Sequence, residues 1–257
     1  MKALGTNCEG YDKIEDFPIL IKLIDADDRL SVQVHPDDEY AAANEKDVRG
    51  KTEAWYIIDC DADAELIYGF NDDLTKEEFR NAIENGTLLD KVNRTKVKPG
   101  DVAFISAGTL HAIGKGILLA EVQQSCNTTY RVFDYNRTGL DGKPRELHVE
   151  KAVDVTECTV PSQTLDPIGM PVKHDGYMTT LLSECPYFTM TCVDVDALYA
   201  DEADETSFVS LVILDGEGTI KCGEDERAFV KGDSIFLPAE SGSFYVSGKA
   251  KILHTKV

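Results

Sequence analysis

The chain has 257 residues, enough to bury a substantial core as one large or two modest domains. Its 42% hydrophobic and 28% charged residues are those of an ordinary globular protein, and its net charge of -21 argues against a nucleic-acid partner or an anionic membrane surface. No run approaches the roughly 18 apolar residues of a membrane span, and the N-terminal Met-Lys-Ala-Leu-Gly-Thr-Asn-Cys-Glu has no signal-peptide core, so no membrane contact is expected. Seven cysteines, an odd number without Cys-x-x-Cys spacing, point to free thiols and a cytoplasmic location.

Along the chain, short strands alternate with turns. Ile19-Leu20-Ile21-Lys22-Leu23-Ile24 is the first, and Lys22 is unusual there, because a lysine in an apolar strand needs a partner. Next comes Leu30-Ser31-Val32-Gln33-Val34-His35. Residues i and i+2 of a strand share a face, so Ser31, Gln33 and His35 point one way, and Val32 and Val34 the other. A short helix is expected after Pro36, with Asp37 near its cap. Glu53 opens the apolar run Glu53-Ala54-Trp55-Tyr56-Ile57-Ile58, and Lys51, two residues earlier, shares its face in an extended segment. After the strand Glu65-Leu66-Ile67-Tyr68 comes the clearest helix. Thr75 and Glu78 form its capping box, Phe79 and Ile83 its apolar pair, and Gly86 its stop. Val102-Ala103-Phe104-Ile105 is the next strand. His111 follows the turn Ala107-Gly108-Thr109-Leu110, and Glu121 ends the strand that begins at Gly116.

The chain also echoes itself. Lys98-Pro99-Gly100-Asp101-Val102-Ala103-Phe104-Ile105 lines up with Val230-Lys231-Gly232-Asp233-Ser234-Ile235-Phe236-Leu237. Both read as a Gly-Asp turn followed by an apolar strand, which resembles cupin jelly rolls. The expected fold is therefore all-β dominated, with two cupin-type jelly-roll barrels and a few short helices. They join near 155–175, where Pro161, Pro167 and Pro171 accumulate. The first barrel spans 1–160 with a helical insertion near 74–86, and the second spans 161–257. On the ungapped alignment His111 corresponds to Ser243, and the second copy has only His174 and His254. It is expected to be a degenerate barrel without a metal site.

Gln33, His35, Glu53 and His111 offer two imidazoles, a carboxylate and an amide oxygen, a donor set suited to a divalent metal, with Zn²⁺ leading. Ligands scattered so widely are weak on spacing alone, since a strand also carries outward Gln and His without binding anything.

The surrounding text resembles the type I mannose-6-phosphate isomerases, in their shorter bacterial form. The resemblance rests on Leu30-Ser31-Val32-Gln33-Val34-His35-Pro36-Asp37-Asp38-Glu39-Tyr40, Gly50-Lys51-Thr52-Glu53-Ala54-Trp55-Tyr56, Ala107-Gly108-Thr109-Leu110-His111-Ala112, Glu121-Val122-Gln123-Gln124, Thr129-Tyr130-Arg131-Val132 and Pro144-Arg145-Glu146-Leu147-His148. It implies a cis-enediol isomerisation between mannose 6-phosphate and fructose 6-phosphate, with one Zn²⁺ per chain held by Gln33, His35, Glu53 and His111. It further implies Arg131, Lys51 and Glu121 as catalytic residues, and Lys22 and Ser31 as binding the substrate phosphate. Which of Lys51 and Glu121 takes the proton stays open. The implied partner is a small sugar phosphate, and the chain is expected to be a monomer or homodimer. His148 and Cys126 read as structural. Similar proteins begin several dozen residues earlier, with a Trp-Gly-Gly turn, so the chain is either a short member or lacks an N-terminal portion. Two rivals stand beside this reading: a non-catalytic sugar-phosphate-binding cupin, and another metal-dependent cupin enzyme such as an Fe(II) oxygenase.

Overall fold

The structure is a computed structural model that describes residues 3–8, 11, 17–46, 49–139 and 142–257. Contacts divide the chain into one unit of Leu20–Leu165 and a second that combines Met1–Ile19 with Asp166–Val257.

In the first unit, β1 (Ile19–Ala26), β3 (Glu53–Cys60), β6 (Val102–Ile105) and β8 (Ile117–Gln124) form a four-stranded sheet in the order β1-β8-β3-β6. A five-stranded sheet is built from β2 (Val32–Val34), β4 (Glu65–Phe70), β5 (Val92–Lys96), β7 (His111–Ile113) and β9 (Tyr130–Phe133), in the order β5-β4-β7-β2-β9. The period-two pattern decides which face each side chain takes. Val32 and Val34 are fully buried in one cluster with Phe70, Phe79, Tyr130 and Val132, which turns Gln33 to the opposite face. β3 is buried on both faces, with Trp55 and Ile57 packed against Leu66, Ile105 and Leu119.

Among the described residues, three α-helices cover this unit: α1 (Asp38–Asn44), α2 (Lys76–Glu84) and α3 (Val149–Val155). Asp37 caps α1 by accepting from the Tyr40 N–H at 2.7 Å. The Thr75–Glu78 capping box opens α2, and Gly86 beyond its end sits at φ 71°, a left-handed conformation that glycine adopts without strain.

The second unit contains β10 (Val172–Lys173), β11 (Tyr177–Cys185), β12 (Phe188–Val195), β13 (Leu198–Ala203), β14 (Val209–Cys222), β15 (Asp225–Val230), β16 (Ser234–Leu237) and β17 (Gly242–Lys256). Its sheet runs β10-β11-β12-β17-β14-β15, with β13 on β17 and β16 on β14.

The expectation of two jelly-roll barrels is corrected here. None of the three sheets closes on itself: each strand order runs from one edge to another, and among the described residues no ladder joins the end strands. Closure requires the first and last strands to pair along a common register. In the second unit β10 has only two residues to offer. Motifs of turn and strand specify neighbours, and they leave the edges undetermined. The fold is mostly β-strand with a few short helices, arranged as open sheets.

The internal echo holds at the level of individual atoms. Asp101 accepts from the Lys98 N–H at 3.0 Å, and Asp233 from the Val230 N–H at 2.8 Å. The carbonyls of these two aspartates accept from the N–H groups of Ile57 and Ile213, both at 2.9 Å. The Gly100 and Gly232 N–H groups donate back to those isoleucines, again at 2.9 Å. The register of β3 against β8 shifts between Ile57 and Asp59, and that of β14 against β17 between Ile213 and Asp215. One local solution has been used twice.

Candidate metal centre and catalytic site

The site lies between the two sheets of the first unit. The four-stranded sheet contributes Lys22 from β1, Glu53 and Trp55 from β3, and Glu121 and Gln123 from β8. Across the five-stranded sheet, His111 of β7 is opposite Gln33 of β2, and Gln33 is opposite Arg131 of β9. His35 follows β2 directly. Glu53 and His111 bridge the sheets, with Glu53 Oε1 3.4 Å from His111 Nε2.

Hydrogen bonds fix the tautomer of both imidazoles. His35 Nδ1 lies 2.9 Å from the Thr128 carbonyl and His111 Nδ1 2.8 Å from the Thr109 carbonyl. A carbonyl only accepts, so each Nδ1 carries the proton and each Nε2 keeps a lone pair. Those lone pairs point toward Glu53: His35 Nε2 is 3.7 Å from Oε2. One ligand atom from each of His35, Glu53 and His111 lies within 4.8 Å of the others, and all three residues are buried. Burial, aided by the Lys51 ammonium and by His111, holds His35 well below the usual imidazole range. His111 is pushed down to about 4, chiefly by burial and against the hydrogen bond to Thr109.

Two imidazole lone pairs and a carboxylate thus converge, an arrangement that favours a cation among them. Lys51 partly answers the need: its Nζ lies 2.6 Å from Glu53 Oε2 and 3.1 Å from His35 Nε2. That approach is a close ion pair with poor directional alignment, because both Glu53 oxygens remain buried without a properly aimed donor. Gln33 places its amide 3.3 Å from His111 Nε2, and turning the amide over presents its oxygen to the same space. The donor set fits a divalent metal.

Beside this centre is a second group. Glu121 Oε2 accepts from the indole N–H of Trp55 at 3.1 Å, and Oε1 from the Lys22 ammonium at 2.7 Å. Lys22 also donates to Gln123 Oε1, while the Gln123 amide donates to the carbonyls of Gln124 and Cys126, both at 2.7 Å. The partner that the sequence demanded for Lys22 is therefore Glu121, with Gln123 as a second acceptor. Sequence reasoning passed over Trp55 and Gln123, although each lies two residues from a candidate, Glu53 or Glu121, and so shares its strand face.

A third group supports Arg131. Its Nε reaches Ser31 Oγ at 3.4 Å and its Nη1 the Glu146 carbonyl at 3.1 Å. Burial, then the charge of nearby Arg145, lowers the Arg131 guanidinium from its ordinary value. Lys22 and Ser31 accordingly belong to different groups, one with Glu121 and one with Arg131. His148 fits its structural reading: its Nδ1 accepts from the Arg131 N–H at 3.2 Å. Cys126 is buried and donates to the Arg49 carbonyl at 3.0 Å, holding the turn that leads to Thr128.

Open β-sheets enclosing a His–Glu–His centre define a metal-binding protein of the cupin class. Comparisons with known proteins place it within that class. Residues 3–80 match the family "Phosphomannose isomerase type I, catalytic domain", and residues 177–257 match "Mannose-6-phosphate isomerase, cupin domain". The chain is 45% identical over 240 residues to mannose-6-phosphate isomerase ManA of Bacillus subtilis (strain 168), covering 92% of this chain and 74% of that protein. It is 39% identical over 245 residues to the mannose-6-phosphate isomerase of Streptococcus mutans, covering 95% and 75%. Among solved structures, the mannose 6-phosphate isomerase from Bacillus subtilis superposes with a TM-score of 0.86 at 37% identity, covering 94% of this chain and 76% of that one. The chain belongs to the type I mannose-6-phosphate isomerase family, as a metal-dependent isomerase.

Proposed function

We propose that the chain interconverts mannose 6-phosphate and fructose 6-phosphate, with His35, Glu53, His111 and the Gln33 amide oxygen holding Zn²⁺. The observation that carries this reading is the convergence of two Nε2 lone pairs and a buried carboxylate in a chain of this family. A bound divalent metal supplies a Lewis acid for the sugar oxygens.

The remaining steps fall to the chain's own side chains. Isomerisation through a cis-enediol moves one proton between C1 and C2. Glu121 is assigned to carry that proton, because Trp55 and Lys22 hold its carboxylate in a fixed orientation. Lys51 is assigned to the sugar oxygen, where an ammonium offsets the charge that develops in the enediolate. Arg131 and Ser31 grip the anionic end of the substrate, since a planar guanidinium matches the geometry of phosphate oxygens. Lys22 extends the same positive field. These cations reconcile a net charge of -21 with an anionic substrate: the overall field repels it, and the pocket supplies local compensation. Free thiols fit a cytosolic enzyme.

The test is coupled turnover of mannose 6-phosphate before chelation, after chelation and after zinc is restored. Chelator-sensitive turnover that zinc restores and His111→Ala abolishes is expected. A folded, zinc-loaded chain that binds the sugar phosphate without converting it would instead be a binding protein.

A further inference from the structure

The duplicated turn aligns the two halves residue by residue. Ile57 pairs with Leu119, and Ile213 pairs with Ile252. Two residues back along each strand, Trp55 pairs with Glu121 and Leu211 with His254. His254 therefore occupies the place in the second unit that Glu121 occupies in the first. Two residues further back, Glu53 pairs with Ile105 and Val209 with Leu237, so the metal-ligating carboxylate has become a valine. The first unit's metal-centre arrangement is therefore not repeated there, while the position equivalent to Glu121 carries a different polar side chain, His254.

That side chain faces a cleft. His254 is 7% exposed, and its Nε2 lies 3.0 Å from Asp201 Oδ2, which also accepts from the Tyr199 hydroxyl at 2.8 Å. His254, Thr191 and Leu181 stand directly opposite one another across β17, β12 and β11. All three line a cleft of about 600 Å³ with Tyr177, Thr179 and Asp201, a volume in the range of small-molecule sites. Its outer wall is aromatic: the rings of His174 and Tyr177 stack at 4.4 Å and 10°, and Tyr199 meets Tyr177 edge-on at 5.0 Å.

We infer that this cleft is a second ligand site, one that takes a neutral monosaccharide ring. The charge of the lining selects against a phosphorylated ligand. Lys22, Lys51 and Arg131 surround the first site, whereas among the described residues no lysine or arginine lines this cleft, and the Lys256 ammonium behind it is paired with the Asp201 carboxylate at 3.6 Å. The exposed His174 ring, backed by the stacked Tyr177, presents one flat face to the C–H face of a pyranose, and Thr191 supplies a hydroxyl partner beside the already bonded Thr179 and Asp201. Aromatic wall and polar floor are the two halves of such a site.

The experiment is saturation-transfer NMR and calorimetric titration of D-mannose into the full-length, zinc-loaded chain. The comparison set is Tyr177→Ala, His174→Ala and Arg131→Ala. D-mannose is expected to bind the wild type and Arg131→Ala within twofold of each other. Tyr177→Ala should weaken it at least tenfold and His174→Ala several-fold, with isomerase turnover unchanged in both. If Tyr177→Ala fails to fold, His174→Ala decides, because that ring is exposed. Binding kept in both aromatic variants, or displaced by saturating mannose 6-phosphate, would place the sugar in the catalytic site and overturn the inference. So would the absence of binding up to the order of 50 mM, where even contacts of a few kcal/mol register.

Discussion

The indole N–H of Trp55 donates to Glu121 Oε2 across a directly opposed pair of β3 and β8, at 3.1 Å. Trp55 is also packed edge-on against His111, with ring centroids 5.4 Å apart. One side chain thus orients the proposed proton carrier and braces a proposed metal ligand. Trp55→Phe keeps the packing and removes the donor. It is expected to lower kcat by about tenfold, the equivalent of one hydrogen bond to a charged group, with KM changed little. Steady-state kinetics check this, with zinc content measured alongside to show that the metal centre survives. An unchanged kcat would separate the orientation of Glu121 from catalysis.

Lys22 has two claims on it, the substrate phosphate and Glu121. Lys22→Met distinguishes them. Loss of phosphate affinity raises KM with kcat preserved, whereas a misoriented Glu121 lowers kcat. Because the Lys22 ammonium is ion-paired with the Glu121 carboxylate at 2.7 Å, the larger effect is expected on kcat. The ratio of the two changes, read from initial rates, assigns the residue.

Glu53→Gln conserves shape and removes the charge that the imidazoles and Lys51 share. Metal affinity should fall by at least a hundredfold, measured by competition with a chromophoric chelator. The metal-free protein should also lose about 3 kcal/mol in urea unfolding, because Lys51 is left buried without its carboxylate. Equal stability of variant and wild type would show that Lys51 finds another partner or reaches water.

Acidification should weaken the metal-free protein through His111. Its unfolded imidazole takes up a proton near pH 6.5, and its folded one only near 4. Between those values the unfolded chain binds more protons, so stability falls as pH falls from about 6.5 towards 4. Urea midpoints at pH 7.5 and 4.5 measure the drop, and His111→Asn should make it shallower. An identical drop in both proteins would remove this imidazole as a source.

The duplicated turn gives an internally controlled pair. Asp233→Ala removes the bond to the Val230 N–H and should cost about 1 kcal/mol without touching turnover. Asp101→Ala loses the equivalent bond and a more buried carboxylate, and should cost more. Thermal denaturation and turnover read both variants.

Local features were legible in the sequence wherever a few neighbouring residues decide them. The capping box at Thr75, the cap at Asp37 and the Gly-Asp turns are of this kind, and each carries its hydrogen bonds in the structure. Alternation along Val32-Gln33-Val34 likewise decided which side chains turn toward the site. Long-range register was not legible. Nothing in the sequence near Gln33 says that Arg131 stands opposite it, or that Lys22 reaches Glu121 rather than Ser31. Closure of the sheets was misread for the same reason, since it depends on strand edges far apart in the chain. Trp55 and Gln123 left a usable signal, the shared face with Glu53 and Glu121.

Tyr68, His111, Gln33 and Arg131 form one transverse row across β4, β7, β2 and β9. A slip of β7 by a single residue would turn Ala112 or Leu110 toward the centre and drive His111 into the hydrocarbon beneath. Assembly errors in this sheet therefore cannot yield a slightly impaired enzyme. They yield a chain whose proposed metal ligand has left the centre and whose imidazole is buried among aliphatic groups, at a cost in stability. Strand alignment and the proposed site depend on the same row of side chains.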